Sequence, residues 1–123
     1  KKLFDNIYLI CSHDKSYISK KIIDISNKEY FIDCSSKDLQ GIMLAIKKSN
    51  FFVGNNSGPL NLSAALGVKS FGLIANDPVS ELKYSKIDPI TPKDYIDNNW
   101  VRDRSGMKKL KPNDVFNYII KNL

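Results

Sequence analysis

Several signals that would define the class of this protein at once are missing from its sequence. It has two cysteines, one histidine and one tryptophan. It has no apolar run of about 18 residues, the length that a membrane-spanning helix needs, and no charged and then apolar leader with a cleavage site. We therefore expect a soluble cytoplasmic protein with at most peripheral contact to the inner face of the membrane.

The cysteines and the histidine form no metal or redox pattern. Cys11 and Cys34 lie far apart, match no Cys-x-x-Cys spacing and are too few for a disulfide framework, so we expect buried thiols. His13 lies beside Asp14 in the loop after the first predicted strand, where a lone histidine is more often solvated than catalytic. Carboxylates are not clustered as they are in magnesium or manganese sites. No metal is predicted.

The charge of the chain is positive but spread out. Nineteen basic against thirteen acidic residues give a net charge of +6, which suits an anionic ligand, an anionic membrane surface or nucleic acid. The lysines occur in pairs, such as Lys20 with Lys21 and Lys47 with Lys48, and no aromatic residues alternate with them as in strands that stack bases. Nucleic acid is therefore not an expected partner, and a solvated lysine surface is the interpretation that we favour.

Predicted strands and helices alternate along the chain. The predicted strands cover residues 7–11, 30–34, 51–54, 70–74 and, at a sheet edge, 85–90; the predicted helices cover residues 16–26 and 59–66 and start near residues 39 and 112. Alternation at this interval favours βαβ units with right-handed crossovers. We expect residues 1–123 to form a single α/β domain, a Rossmann-like three-layer domain with a parallel sheet of about five strands.

Two of these helices have features that a structure can test. Residues 35–38 offer a capping-box start for the helix that follows them. The last helix starts with Pro112 in its first turn and is expected to pack one side on the sheet, carrying Val115, Phe116, Ile119, Ile120 and Leu123. Before it, residues 88–106 are irregular, and Trp100 either anchors this loop to the domain or lines a ligand cleft.

The most informative stretch of the chain is residues 51–67. An apolar strand breaks into a turn of glycine, asparagine and serine, and Pro59 then starts a short helix that Gly67 ends. Such a turn leaves free N–H groups at the positive end of a helix, where anions bind. Gly58 permits close approach of a ligand, and Ser57 either caps the helix or bonds a phosphate oxygen. Alternatively, Ser57 is only an N-cap and Gly58 only a turn residue.

Residues 56–67 read Asn-Ser-Gly-Pro-Leu-Asn-Leu-Ser-Ala-Ala-Leu-Gly. With its neighbours from about residue 38 to 78, this run resembles the carboxyl-terminal domain of the heptosyltransferase-like glycosyltransferases, family 9. Their hallmark after a strand is Asp-(Ser/Thr)-Gly-Pro-(Met/Leu)-His-Leu-Ala-Ala-Ala-Leu-Gly. Asn56 stands where the family has Asp, and Asn61 stands where it has His. Both exchanges keep a hydrogen-bonding side chain but remove a charged or titratable group.

This resemblance implies one half of a GT-B fold, whose two Rossmann-like domains face a cleft. The chain is similar to the second domain, and we expect an amino-terminal domain to be missing. The resemblance also implies a nucleotide-sugar donor, an ADP-sugar, and no other cofactor. The donor contacts that it implies are Asn56, Ser57, Gly58, Pro59 and Asn61 at the diphosphate, with Asp14 as the nearest candidate for the ribose.

The implied activity is transfer of a heptose or related sugar to a glycan or lipid-linked acceptor in lipopolysaccharide or cell-envelope glycan synthesis. The family's catalytic base lies in the amino-terminal domain, so no catalytic residue is expected in this chain, which should bind without turnover. The competing hypothesis is a degenerate, non-catalytic binding module, supported by the paired loss of Asp and His. Because the core at residues 57–59 is intact, we favour the enzyme-derived interpretation.

Overall fold

The chain contains two compact units, Lys1–Lys48 and Ser49–Leu123. The computed structural model describes residues 3–26, 29–82, 84, 86–97 and 105–123. The loop anchor predicted at Trp100 lies outside these residues. That residues 1–123 form a single domain stays a prediction.

The first unit contains a strand, a helix and a second strand in succession, followed by another helix. Its elements are β1 (Ile7–Leu9), α1 (Ser16–Ser26), β2 (Phe31–Asp33) and α2 (Leu39–Lys47). β1 and β2 pair in parallel, with Ile7 opposite Phe31 and Leu9 opposite Asp33. The helix predicted over residues 16–26 is confirmed at both ends. Both strands are two residues shorter than predicted because they end where their pairing ends.

The start of α2 differs from the prediction. Asp38 is the N-cap, and its Oδ1 accepts a hydrogen bond from the Gly41 N–H at 2.8 Å. The predicted capping box starting at Ser35 is therefore wrong. Ser35 lies in the turn before the helix, where its N–H donates to Asp33 Oδ1 at 2.9 Å, a bond that lowers the pKa of Asp33. This local turn ends β2, and the next carboxylate, that of Asp38, caps the helix instead.

The second unit carries a three-stranded parallel sheet. Its elements are β3 (Phe51–Asn55), α3 (Gly58–Ala65), β4 (Lys69–Leu73), β5 (Ile87–Ile90) and α4 (Pro112–Asn122). The strands lie in the order β3-β4-β5. The α/β prediction with parallel strands is confirmed, with the five strands shared between this sheet and the two-stranded sheet of the first unit.

The register of this sheet aligns the carboxyl ends of its strands. Asn55 is opposite Leu73, and Leu73 is opposite Ile90. The loops that follow β3, β4 and β5 therefore leave the sheet at one edge. In open α/β sheets this is the edge at which ligands bind.

The core of the second unit lies on both faces of its sheet. On the α3 face the buried apolar residues are Leu60, Ala64, Ile74 and Ile87. On the α4 face they are Phe71, Ile90 and Ile119. The Phe71 ring packs edge-on against Phe51 and Tyr118, with ring centroids 6.0 and 6.4 Å apart. Successive side chains of a strand point to opposite faces of the sheet, so each face has apolar residues on which a helix packs. This unit therefore has three layers, with α3 and α4 on opposite faces of the sheet.

α4 packs through fewer residues than predicted. Val115 and Ile119 contact the core, whereas Phe116 and Ile120 are each 44% exposed and Leu123 is 56% exposed. Successive helical residues are about 100° apart, so positions 116 and 120 lie on the flank when 115 and 119 face the sheet. The prediction that all five share the buried side is wrong for these three.

β5 is the predicted edge strand, and it contains a proline. The Ser70 N–H donates to the Lys86 carbonyl, and the Ile74 N–H donates to the Ile90 carbonyl. The even-numbered residues of β5 therefore turn their backbone groups toward β4. Pro89, opposite Gly72, turns its nitrogen to the outer side of the sheet, where a missing N–H costs no ladder bond.

Candidate functional site

The loop between β3 and α3, together with the first two residues of α3, carries four of the predicted site residues: Asn56, Ser57, Gly58 and Pro59. Ser57 occupies the N-cap position with an extended backbone, at φ −157° and ψ 172°, and its side chain makes no capping bond. Its hydroxyl instead donates to the Asn55 carbonyl at 3.1 Å. The interpretation of Ser57 as a side-chain cap is therefore wrong. Asn56 is exposed at the tip of the turn.

The first turn of α3 leaves backbone donors open. The Asn61 N–H closes the turn by donating to the Ser57 carbonyl at 3.2 Å. Pro59 has no N–H, and its place in the first turn confirms the predicted helix start to within one residue. In the described ranges, the Gly58 and Leu60 N–H groups have no hydrogen-bond acceptor. These are the free donors expected at a helix start.

The fold itself does not require glycine at position 58. Gly58 is the first residue of α3, and Gly67 is the glycine with a left-handed backbone in the described part of the chain, at φ +80°. Among the described residues, a Cβ at position 58 would meet no atom within 4 Å. The described residues therefore leave room for a side chain at position 58.

α3 ends at Ala65, one residue before the predicted end, and Gly67 terminates it as predicted. Gly67 donates its N–H to the Ala64 carbonyl, and Val68 donates to the Ser63 carbonyl, both at 3.0 Å. This pair of bonds around a left-handed glycine is the Schellman arrangement. α3 is thus held at eight residues, and it returns the chain directly into β4.

Asn61 directs its side chain into its own helix. Its Nδ2 donates to the Ser57 carbonyl at 3.0 Å, and the residue is half-buried. The resemblance predicts Asn61 as a ligand contact. In the structure, one of its donors is already engaged within the loop.

Asp14 belongs to the first unit, whereas the other five predicted site residues belong to the second. It is exposed within a 3₁₀ turn, His13–Lys15, and its carboxylate lies 3.6 Å from the Lys15 ammonium. A hydrogen bond from the Ser12 side chain, and then Lys15, lower the pKa of Asp14. It is therefore charged near neutral pH, and its role at a ribose stays a prediction. His13 is exposed, in line with the solvated interpretation.

The two cysteines differ in their surroundings. Cys34 is fully buried, as predicted, and burial raises the pKa of its thiol. Cys11 is only half-buried, so the prediction of a buried thiol is wrong there. Its Sγ lies 3.2 Å from the Ser19 hydroxyl, and both cysteines are unbridged.

A polar clasp joins the loops that follow β4 and β5. Asp97 Oδ1 accepts hydrogen bonds from the Val79 N–H at 2.5 Å and the Ser80 N–H at 3.2 Å. The Tyr95 hydroxyl accepts from the same Val79 N–H at 2.9 Å and lies 2.7 Å from the Asp77 carbonyl. Sequence reasoning missed this Tyr95–Asp97 clasp, because no local pattern pairs residues that lie 16 to 18 positions apart.

The segment before α4 also packs at this edge of the sheet. Gly106 lies in a 3₁₀ turn, Ser105–Lys109. A Cβ at position 106 would come within 2.3 Å of Asn76 Oδ1 and 2.5 Å of the Ala75 carbonyl oxygen. Close approach to the end of β4 therefore requires glycine there. No sequence pattern identified this contact.

Two grooves of the second unit are formed by other segments, one of about 490 Å³ near Lys69 and Lys86 and one of about 500 Å³ between Pro92 and Val115. Neither includes a residue of the loop after β3.

Fold and loop together define an α/β protein whose parallel sheet carries an open, donor-rich helix start at its carboxyl edge. The family model of glycosyltransferase family 9 (heptosyltransferase) matches residues 4–118. The chain therefore belongs to glycosyltransferase family 9, as its sequence resemblance predicted. Comparison with curated proteins and with solved structures gave no match. Across the described ranges, no helix combines the length and apolarity needed to cross a membrane.

Proposed function

We propose that the second unit holds the diphosphate of a nucleotide-sugar donor against the loop of residues 55–58 and the first turn of α3. The observation that carries this proposal is the N–H group of Gly58, which has no acceptor among the described residues and lies where an added Cβ would meet no described atom within 4 Å. Membership of a glycosyltransferase family supports a sugar-donor ligand. The place of the loop, at the carboxyl edge of a parallel sheet, supports it independently.

Electrostatics favour an anion at this loop without a metal. A diphosphate is stabilised by backbone N–H groups and by the positive end of the helix dipole. The side chains nearest to it in sequence, Asn55, Asn56, Ser57 and Asn61, are all neutral. No carboxylate among them opposes the ligand, and the net charge of +6 attracts it over longer distances.

The proposed role within the reaction is donor binding. An ADP-sugar is the donor that the family resemblance favours, and Asp14 is the proposed contact for its ribose. The acceptor is a glycan or a lipid-linked sugar in lipopolysaccharide or cell-envelope synthesis. Glycosyl transfer also needs a base that deprotonates the acceptor hydroxyl and a cleft that excludes water. We propose that a facing amino-terminal domain supplies both.

The test is a titration of the chain with ADP and with an ADP-sugar, followed by amide chemical shifts and calorimetry. We expect the largest shift changes at residues 56–61 and saturation below millimolar ligand. Adenosine, which lacks phosphate, serves as the control and should leave the chemical shift of the Gly58 amide nearly unchanged. No heat and no shift change with either nucleotide at high micromolar concentration would overturn the proposal.

A second candidate is a binding module that has lost catalysis. It is favoured by the Asn61 side chain, which bonds within the loop and offers no titratable group. This candidate predicts that a glycan binds the chain while nucleotides do not. The same titration, repeated with an oligosaccharide, therefore separates the two functions.

A further inference from the structure

One carbonyl at the start of α3 receives two hydrogen bonds from the same residue. The Ser57 carbonyl accepts the Asn61 backbone N–H at 3.2 Å and the Asn61 side-chain Nδ2 at 3.0 Å. The Ser57 hydroxyl is turned away and donates to the Asn55 carbonyl. The side chain that ties the first turn together is therefore Asn61, from one turn further along the helix.

The geometry of the Ser57–Gly58 peptide links this contact to the direction of an N–H group at the proposed ligand surface. The Ser57 carbonyl and the Gly58 N–H belong to one peptide group, which is planar, and in a trans peptide they point in opposite directions. A bond that holds the carbonyl toward the helix therefore holds the N–H away from it. This N–H has no acceptor among the described residues and lies beside open space.

We infer that Asn61 is a positioning residue for the donor diphosphate, acting through the Ser57–Gly58 peptide rather than by contact with the ligand. The inference rests on the proposed function. Asn61 keeps the Gly58 N–H aimed outward before the ligand arrives, so binding need not order the turn. Binding to an N–H group that is already held in place costs less conformational entropy than binding to one that must first be ordered.

The test compares Asn61→Leu and Asn61→Ala with the parent chain. Both variants remove the side-chain donor without adding charge, and leucine is close to asparagine in size. Asn117→Leu, at an exposed asparagine of α4, is the matched control. The probes are ADP, inorganic pyrophosphate and adenosine, and the second measurement is the ¹⁵N-relaxation order parameter of the Gly58 amide without ligand.

We expect both Asn61 variants to bind ADP and pyrophosphate about five- to tenfold more weakly, as for loss of one neutral hydrogen bond. Adenosine binding should not change. The order parameter of the Gly58 amide should be lower in the ligand-free variants, because the first turn is less ordered, whereas the control should match the parent throughout. A melting temperature within a few degrees of the parent shows that the fold is intact.

Two results would overturn the inference while leaving the proposed function standing. One is unchanged ADP affinity in both Asn61 variants. The other is weaker ADP binding with an unchanged Gly58 order parameter in the free protein, which would make Asn61 a direct ligand contact. If the parent binds neither ADP nor pyrophosphate, the proposed function fails and the positioning role fails with it.

Discussion

Ser63 and Ser70 face each other between α3 and β4, with hydroxyl oxygens 2.7 Å apart and neither residue exposed to solvent. Each hydroxyl also lies near a backbone carbonyl, Ser63 near that of Leu60 at 2.7 Å and Ser70 near that of Val68 at 2.9 Å. The two protons can serve only two of these three contacts at a time. Each serine therefore keeps an acceptor when the other is removed.

This sharing makes the pair tolerant of single truncation. We expect Ser63→Ala to lower the free energy of unfolding by about 1 kcal/mol or less, because the Ser70 hydroxyl then bonds the Val68 carbonyl. Ser63→Val, which adds volume where α3 packs on the sheet, should cost about 1–3 kcal/mol. Urea unfolding of both variants measures the difference. A loss above about 3 kcal/mol for Ser63→Ala would contradict the shared arrangement.

Gly58→Val should abolish nucleotide binding without unfolding the protein. A Cβ at position 58 would meet no atom of the described residues within 4 Å, so the branched side chain starts in the space proposed for phosphate. Titration with ADP and a thermal melt test the two halves of this prediction. Asn56→Asp, which restores the residue found in relatives, is the companion variant and should be tolerated. If Gly58→Val bound ADP as well as the parent, the phosphate site would not be at this loop.

Gly106→Ala should destabilise the second unit by about 1–3 kcal/mol, the usual cost of forcing atoms into a packed site. The new methyl group would lie within 2.5 Å of the Ala75 backbone oxygen, so rotation of a side chain cannot relieve the clash. Asn76→Ala removes the other close atom. The double variant should therefore remain less stable than Asn76→Ala alone, as measured by urea unfolding. Full rescue in the double variant would place the strain on the Asn76 side chain instead.

The Tyr95–Asp97 clasp should make stability depend on pH in the acid range. Hydrogen bonds from Ser80 and then Tyr95 lower the pKa of Asp97 below its ordinary 3.8. A depressed carboxyl pKa stabilises the fold above the unfolded pKa, and this contribution is lost as pH falls through the folded one. The parent should therefore lose more stability between pH 6 and pH 3 than Asp97→Asn. Urea unfolding at the two pH values measures both losses. If the parent and Asp97→Asn lost the same stability, the charge on Asp97 would contribute nothing to the pH dependence.

Local chemistry explains which features were predictable from the sequence. The strand, loop and helix at residues 51–67 follow from residues with strong intrinsic preferences, Pro59 at a helix start and Gly67 at its end. The direction of the Ser57 hydroxyl could not be predicted, because the helix N–H groups and the Asn55 carbonyl compete for it with bonds of similar strength. Motif comparison identified the family and the loop, but not the internal bond of Asn61.

Tertiary context explains the remaining differences. α4 has more apolar residues than one face can bury, so periodicity alone cannot say that Ile119 faces the core and Ile120 does not. The Tyr95–Asp97 clasp and the Gly106 contact join segments that are distant in sequence. Their side chains have no local pattern that reveals a partner, and only the folded backbone brings them together.

Pro89 has a consequence for how the protein behaves in crowded solution. An outer strand with a full row of free N–H and C=O groups is a template for intermolecular β-pairing and aggregation. The nitrogen of Pro89 faces that outer side and carries no hydrogen, so an incoming strand from another molecule would lose a ladder bond and meet the pyrrolidine ring. Pro89, in the outer strand of the sheet, thus also protects the folded chain against edge-to-edge association.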